Sequence, residues 1–307
     1  MQESFALLKK LCSIHAPSGN EGAMTEFLLA YIHEHGHRWK HQPAVFAGED
    51  FQDCLVLVFG KPRTAVFAHI DSIGFTVRYN RQLVRIGSPH FESGTELVGH
   101  DREGAITCTV QVDDESHWHY AATRELDRGT DLTFKPKWIE DEVSVQCCYM
   151  DNRLGVWNAL RLCETLEHGA VVFSCWEEHG GGSVPYLARF LWERYGIRQA
   201  LISDVTWVTE GVPAGKGPVI SLRDSGLPRR RFVDKILSMA EASGLPYQRE
   251  VEGTGGSDGT ELQKQPYPID WCFIGPPEEN VHSPKEKVHK ADILGNLELY
   301  RYLMERL

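Results

Sequence analysis

A short apolar strand that breaks directly into two carboxylates and a glycine-rich turn constrains this chain more than any other stretch. Val171-Val-Phe-Ser-Cys-Trp-Glu-Glu-His-Gly-Gly-Gly182 opens with the continuous apolar run of a strand covered on both faces. Such strands belong to sheets flanked by helices. In open α/β sheets, ligands bind beyond the carboxyl ends of the strands, which is where Glu177 and Glu178 fall. Neighbouring side chains on a turning backbone diverge, so one carboxylate can hold a cation while the other faces a water bound to it. An acidic loop tip is also a common strand ending, and the pair gains meaning only from its company.

The same pattern recurs along the chain. Phe5, Leu7, Leu8 and Leu11 lie at mostly helical spacing before Pro17 interrupts it. Ser18-Gly-Asn-Glu21 has the form of a capping box and precedes Met24, Phe27, Leu28 and Tyr31 on one helical face. The strand-like runs 54–59 and 64–68 follow, the second ending in His69-Ile-Asp71. Asp151 opens an amphipathic helix carrying Val156, Leu160, Cys163 and Leu166, and the strand Ala200-Leu-Ile-Ser203 ends in Asp204. A helix near 229–242, a glycine-rich turn at 253–259, a strand near 269–274 and a final helix from about 291 complete the alternation. This order predicts an α/β fold, a three-layer αβα sandwich with a mixed central sheet. Between 72 and 145 the pattern changes to short alternating segments with frequent glycines. That stretch reads as a small β-barrel-like domain inserted into a larger domain made of 1–71 and 146–307.

The formal charge of -11 over 307 residues argues against a nucleic-acid partner, which would need a basic surface. The first ten residues lack the features of a secretory signal, and no apolar run approaches membrane-spanning length. The expected place is therefore the cytoplasm. Eight scattered cysteines without C-x-x-C spacing read as reduced and mostly buried.

His69, Glu177 and Asp204 each follow an apolar run, Asp151 opens a helix, and His282 lies in a loop after the last strand-like segment. Topologically equivalent positions of this kind can converge on one crevice. A donor set of imidazoles and carboxylates without sulfur suits zinc, cobalt or manganese better than calcium or magnesium. Taken singly, each residue has an ordinary reading: a surface histidine, or an aspartate at a cap or turn. Those readings do not explain five candidate ligands at matching positions.

Seven pieces in order carry a family resemblance: Ala68-His-Ile-Asp-Ser-Ile-Gly-Phe75, Asp151-Asn-Arg-Leu-Gly155, Glu177-Glu-His-Gly180, Ser203-Asp-Val205, Gly215-Lys-Gly-Pro-Val-Ile220, Gly255-Gly-Ser-Asp258 and Val281-His-Ser-Pro284. The chain resembles the dinuclear metallo-aminopeptidases of the tetrahedral (TET) type, the glutamyl and deblocking aminopeptidases, some of them labelled endoglucanases. The resemblance implies two divalent ions per subunit, zinc first and cobalt or manganese as alternatives. Asp151 would bridge them, with Glu178 and His282 completing one site and His69 and Asp204 the other. Glu177 would be the general base for attack by a metal-bridging water, and Asp71 would orient His69. It also implies a zinc-peptidase-like fold, a lid or oligomerisation role for the inserted β domain of 72–145, peptide substrates with a free N-terminus and homo-oligomers from dimer to dodecamer.

Asp258 and Arg223 are candidate substrate-binding residues. Competing readings are a related dinuclear amidase or deacylase acting on blocked peptides, and a catalytically silent metal-binding scaffold. A glycosidase would need paired carboxylates but no histidines.

Overall fold

The computed structural model describes residues 5–113 and 117–307. The amino-terminal third contains α1 (Ala6–Cys12), α2 (Gly22–His35), β1 (Ala44–Gly48), β2 (Gln52–Phe59) and β3 (Thr64–His69). Six strands come next: β4 (Gly74–Val77), β5 (Leu83–Ile86), β6 (Glu96–Asp101), β7 (Gly104–Val112), β8 (Trp118–Ala121) and β9 (Asp131–Phe134). Then follow β10 (Ile139–Glu140), β11 (Ser144–Gln146), α3 (Met150–Cys163), β12 (Gly169–Ser174), α4 (Val184–Tyr195), β13 (Gln199–Ser203) and β14 (Thr206–Trp207). The remainder is β15 (Val219–Ser221), α5 (Arg230–Ser243), β16 (Gln248–Glu250), α6 (Asp258–Gln263), β17 (Asp270–Gly275), β18 (Pro277–Glu279), β19 (Lys287–His289) and α7 (Lys290–Met304).

An eight-stranded sheet in the order β1-β2-β12-β3-β13-β17-β15-β16 forms the middle layer. Its centre, β12-β3-β13-β17, is parallel, while β2 and β15 join it antiparallel, so the sheet is mixed as expected. The central strands are apolar without alternation because both faces are covered. Leu55 to Leu57, Ala65 to Ala68 and Ala170 to Phe173 have no exposed surface. Helix α3 packs on β3, β12 and β13 with α1 and α7 against it, while α4 and α6 contact β12, β13 and β17. The result is the three-layer αβα sandwich.

Residues 74–134 supply a separate antiparallel sheet in the order β5-β4-β9-β6-β7-β8. A bridge between Gln82 and His119 brings its two ends together, so the sheet nearly closes into a barrel. Phe75, Phe91 and Phe134 fill one end, with ring centroids 5.3 Å and 5.7 Å apart for Phe75 with each neighbour. A small third sheet, β10-β11-β19-β18-β14, flanks the loop that carries His282.

The expected capping box does not form. Gly22 begins α2 with Glu21 at its N-cap and no side-chain capping bond. The Ser18 hydroxyl instead donates to Asp71 Oδ2 at 2.6 Å, and Glu21 Oε1 accepts from the backbone N–H groups of Gly19 and Trp176. A carboxylate across the sheet edge competes for Ser18 more strongly than the orphan helix N–H groups do. Strands β1, β15 and β16 were not expected either; they are three to five residues long and mostly sit at the sheet margins, too short for a periodic signal.

Candidate metal centre

Three adjacent parallel strands end at the same edge. Ser174 lies opposite His69, and Ile202 opposite Phe67. His69 therefore closes β3, Glu177 follows β12 by one turn, and Asp204 is the first residue beyond β13. Asp151 reaches the same point from the first turn of α3, and His282 from the loop between β18 and β19.

Asp151 sits between two sets of donors. Its Oδ1 is 3.2 Å from His69 Nε2, which is 3.7 Å from Asp204 Oδ1. Its Oδ2 is 3.2 Å from His282 Nε2, which is 3.1 Å from Glu178 Oε2. Within each trio, His69-Asp151-Asp204 and Asp151-Glu178-His282, the ligand atoms all lie within 4.8 Å of one another. Donors about 2 Å from a tetrahedral ion lie roughly 3.3 Å apart, so both trios are close to that spacing. Glu177 Oε2 lies 3.8 Å from His69 Nε2 on the open side.

The local backbone is shaped for this. Tyr149, Trp176 and His282, all beside or among the donors, have φ of 68°, 61° and 62°, the left-handed region that non-glycine residues seldom adopt. Asp71 braces the Glu177 turn by accepting from the N–H groups of Glu177 and Glu178, each at 3.1 Å, while its Oδ1 faces His69 Nδ1 at 3.3 Å. Arg153, fully buried, donates from Nη1 to the carbonyl oxygens of Ile70 and Asp71. Asn152 donates to the Ser203 carbonyl at 2.8 Å and accepts from Gly155 N–H at 2.9 Å. A Cβ on Gly155 would fall 2.0 Å from the Ser203 oxygen, so α3 can approach β13 only with glycine there. Sequence offers no role for Arg153 and only a helix cap for Ser18, because neither a buried arginine nor a serine beside a turn carries a local signature of its distant partner.

The electrostatics call for cations. Burial lifts Glu177 well above the usual carboxylate range and Glu178 to about 7, and it also raises Asp204. Burial would lower the two imidazoles, but Asp204 beside His69 and Glu178 beside His282, with Asp151 bonded to both, raise them instead, His282 to about 12. Asp151 is held low despite its burial by its bonds to those imidazoles. Close by, Glu278 and Glu286 are buried, and both oxygens of Glu278 lack a hydrogen-bond partner among the described residues, as does Glu178 Oε1. Clustered buried carboxylates with unsatisfied oxygens are costly unless cations compensate them, and the imidazole and carboxylate donors fit divalent ions of the zinc class. Asp151, Glu178 and His282 offer a second trio of possible ligands that shares Asp151 with the first.

A cavity of about 600 Å³ opens over the donors, walled on one side by Arg85, Ser88 and His90 and on the other by Trp207, Asp224, Glu250 and Thr254. Asp258 and Arg223 are not part of this wall. Asp258 is buried at the start of α6, takes a hydrogen bond from Ser174 and is raised to about 7 by burial. Arg223 donates from Nε to the Asp224 carbonyl.

The profile of the M42 glutamyl aminopeptidase family matches residues 100–299. An Acetivibrio thermocellus protein named "Putative aminopeptidase" is 25% identical over 328 residues, covering 95% of this chain and 96% of its own. The TET1 peptidase of Pyrococcus horikoshii, which can assemble into a tetrahedron or a large octahedral shell, superposes with a TM-score of 0.82 at 21% identity, covering 98% of this chain and 99% of its own. An aminopeptidase from Desulfurococcus kamchatkensis gives 0.85 at 19% identity, covering 98% and 94%. The endoglucanase of Thermotoga maritima gives 0.73 at 16%, covering 97% and 96%.

Proposed function

This chain belongs to the M42 glutamyl aminopeptidase family and is a peptidase, and on that premise we propose that it is a dinuclear metal-dependent aminopeptidase. The observation that carries the reading is Asp151, whose two oxygens each face a separate histidine and carboxylate set, with Glu177 alongside. His69 and Asp204 would hold one ion, Glu178 and His282 the other, and Asp151 would bridge them. Two divalent ions bound there would polarise the scissile carbonyl and lower the pKa of a water.

The remaining steps fall to the protein. Glu177, raised by burial and left unbridged by any trio, takes a proton from the attacking water and returns it to the leaving amine. Asp71 keeps the Glu177 turn in register with His69, so base and ligand move together. Zinc is the expected ion, with cobalt or manganese as alternatives, because availability decides among similar ions.

We read 72–145 as the inserted unit that covers the cavity and contributes to a homo-oligomer, between dimer and dodecamer; the Pyrococcus horikoshii peptidase can assemble into a tetrahedron or a large octahedral shell. None of the described helices is long and apolar enough to cross a membrane, and we place the protein in the cytoplasm. Substrates are peptides with a free N-terminus. Arg223 does not line the cavity, and at the wall Asp224, Glu250 and Glu252 outnumber Arg85, which disfavours an acidic N-terminal residue in spite of the family's description.

The test is hydrolysis of free-amine and N-acylated peptides by chelator-stripped protein with and without added zinc, cobalt or manganese. Metal-restored release of N-terminal residues from free-amine peptides, with lysyl or leucyl faster than glutamyl, is the expected result. Activity on acylated peptides alone would replace the reading with an amidase, and silence despite two bound ions with a scaffold.

A further inference from the structure

The second metal position leans on the inserted sheet. Just after β5, the segment Gly87–His90 touches both elements that bring Glu178 and His282 to the centre. Gly87 N–H donates to His179 Nδ1 at 3.2 Å, one residue beyond Glu178. Its φ is +67°, and a Cβ there would lie 2.7 Å from Ile73 Cγ2 and 3.3 Å from both the carbonyl oxygen and Oε2 of Glu178, so the contact needs glycine. His90 N–H donates to the His282 carbonyl at 2.8 Å, and the two imidazole rings are roughly parallel with centroids 6.4 Å apart. Between them, Ser88 Oγ lies 2.8 Å from His282 Nδ1.

That last contact decides which nitrogen of His282 is available. Its Nε2 faces Asp151 and Glu178 at 3.2 Å and 3.1 Å. An imidazole that ligates through Nε2 carries its proton on Nδ1, and the group accepting that proton fixes tautomer and ring plane. For His69 the facing group is the Asp71 carboxylate; for His282 it is a hydroxyl from the segment after β5, 194 residues away in sequence.

Resting on the dinuclear reading above, we propose that Ser88 is a positioning residue for the ion held by Glu178 and His282. By accepting the His282 Nδ1–H it lets the inserted unit set the affinity of that position, while the His69 and Asp204 position is independent of it. Ser88 is exposed, so shortening it opens no cavity in a core, and an effect on metal uptake would come from the lost hydrogen bond.

The experiment is calorimetric zinc titration of the chelator-stripped full chain for the wild type, Ser88→Ala and Ser88→Thr, with thermal melts of the stripped proteins as a check on folding. The wild type should take two ions per chain. Ser88→Ala should keep one affinity and lose about tenfold in the other, the low end of what an outer partner contributes, and Ser88→Thr should restore it. Two unchanged affinities in Ser88→Ala would overturn the role of Ser88 and leave the dinuclear reading intact. Loss at both positions, with unchanged melting, would overturn the independence of the two. A wild type that binds fewer than two ions would remove the dinuclear reading itself, and the inference with it.

Discussion

The two halves of the centre are built on different principles. The His69 and Asp204 half is made by neighbouring strands of one sheet. Its imidazole is 1% exposed and faces a carboxylate that is itself fully buried and bonded to Ser18, Glu177 and Glu178. In the His282 and Glu178 half, the imidazole side chain is 21% exposed, sits on a left-handed loop residue and is met by a hydroxyl from the loop after β5. A donor at the end of a buried strand inherits the rigidity of the sheet, whereas a donor on a loop takes its position from whatever packs against the loop. Removing both ions by graded chelation should therefore empty the His282 half first.

Breaking the shared element should erase the difference. Asp151→Asn removes a carboxylate facing both trios, and zinc titration should show both affinities lowered by more than about 100-fold, beyond the loss of any outer partner. Glu177→Gln should leave two ions bound and lower kcat by about 10² to 10⁴, measured on a free-amine peptide at saturating metal. A variant that lost metal instead would make Glu177 a ligand. Asp71→Asn sharpens the contrast. It should weaken the His69 position by about 10- to 100-fold in zinc affinity while the His282 position changes less.

The smallest effect concerns the seam between the two units, where His15 Nδ1 and Thr133 Oγ1 are 3.0 Å apart, joining the loop after α1 to β9. Burial holds the His15 ring below its usual value. Below about pH 6.5 the unfolded ring binds a proton before the folded one does, so stability falls as the pH drops through that window. Relative to wild type, His15→Gln should flatten the loss of melting temperature between pH 7 and pH 5 by on the order of 1–2 °C. An identical slope would show that the seam does not depend on a neutral His15.

Much of the centre could be read before folding, for a local reason. In β3, β12 and β13 a buried strand and the donor at its end are consecutive in sequence, so His69, Glu177, Glu178 and Asp204 announce themselves. Ser18 misled because its local pattern, a serine three residues before a glutamate, is a genuine helix signal that a distant carboxylate outcompetes. Arg223, a candidate from sequence, gave no local sign that its Nε would donate to the Asp224 carbonyl rather than join the cavity wall.

The amino-acid order by itself determined the αβα sandwich, the family and the residues that meet at the candidate centre, because apolar runs, helical spacing and the groups that end them are properties of neighbours along the chain. Tertiary structure alone decided that Asp71 braces the Glu177 turn and that Ser88 meets His282. It also placed Arg153 against the carbonyl groups behind the site and Asp224, Glu250 and Glu252 around the cavity. Those relations join residues far apart in sequence, and a hydrogen bond leaves no periodicity for either partner to display until the chain brings them within 3 Å.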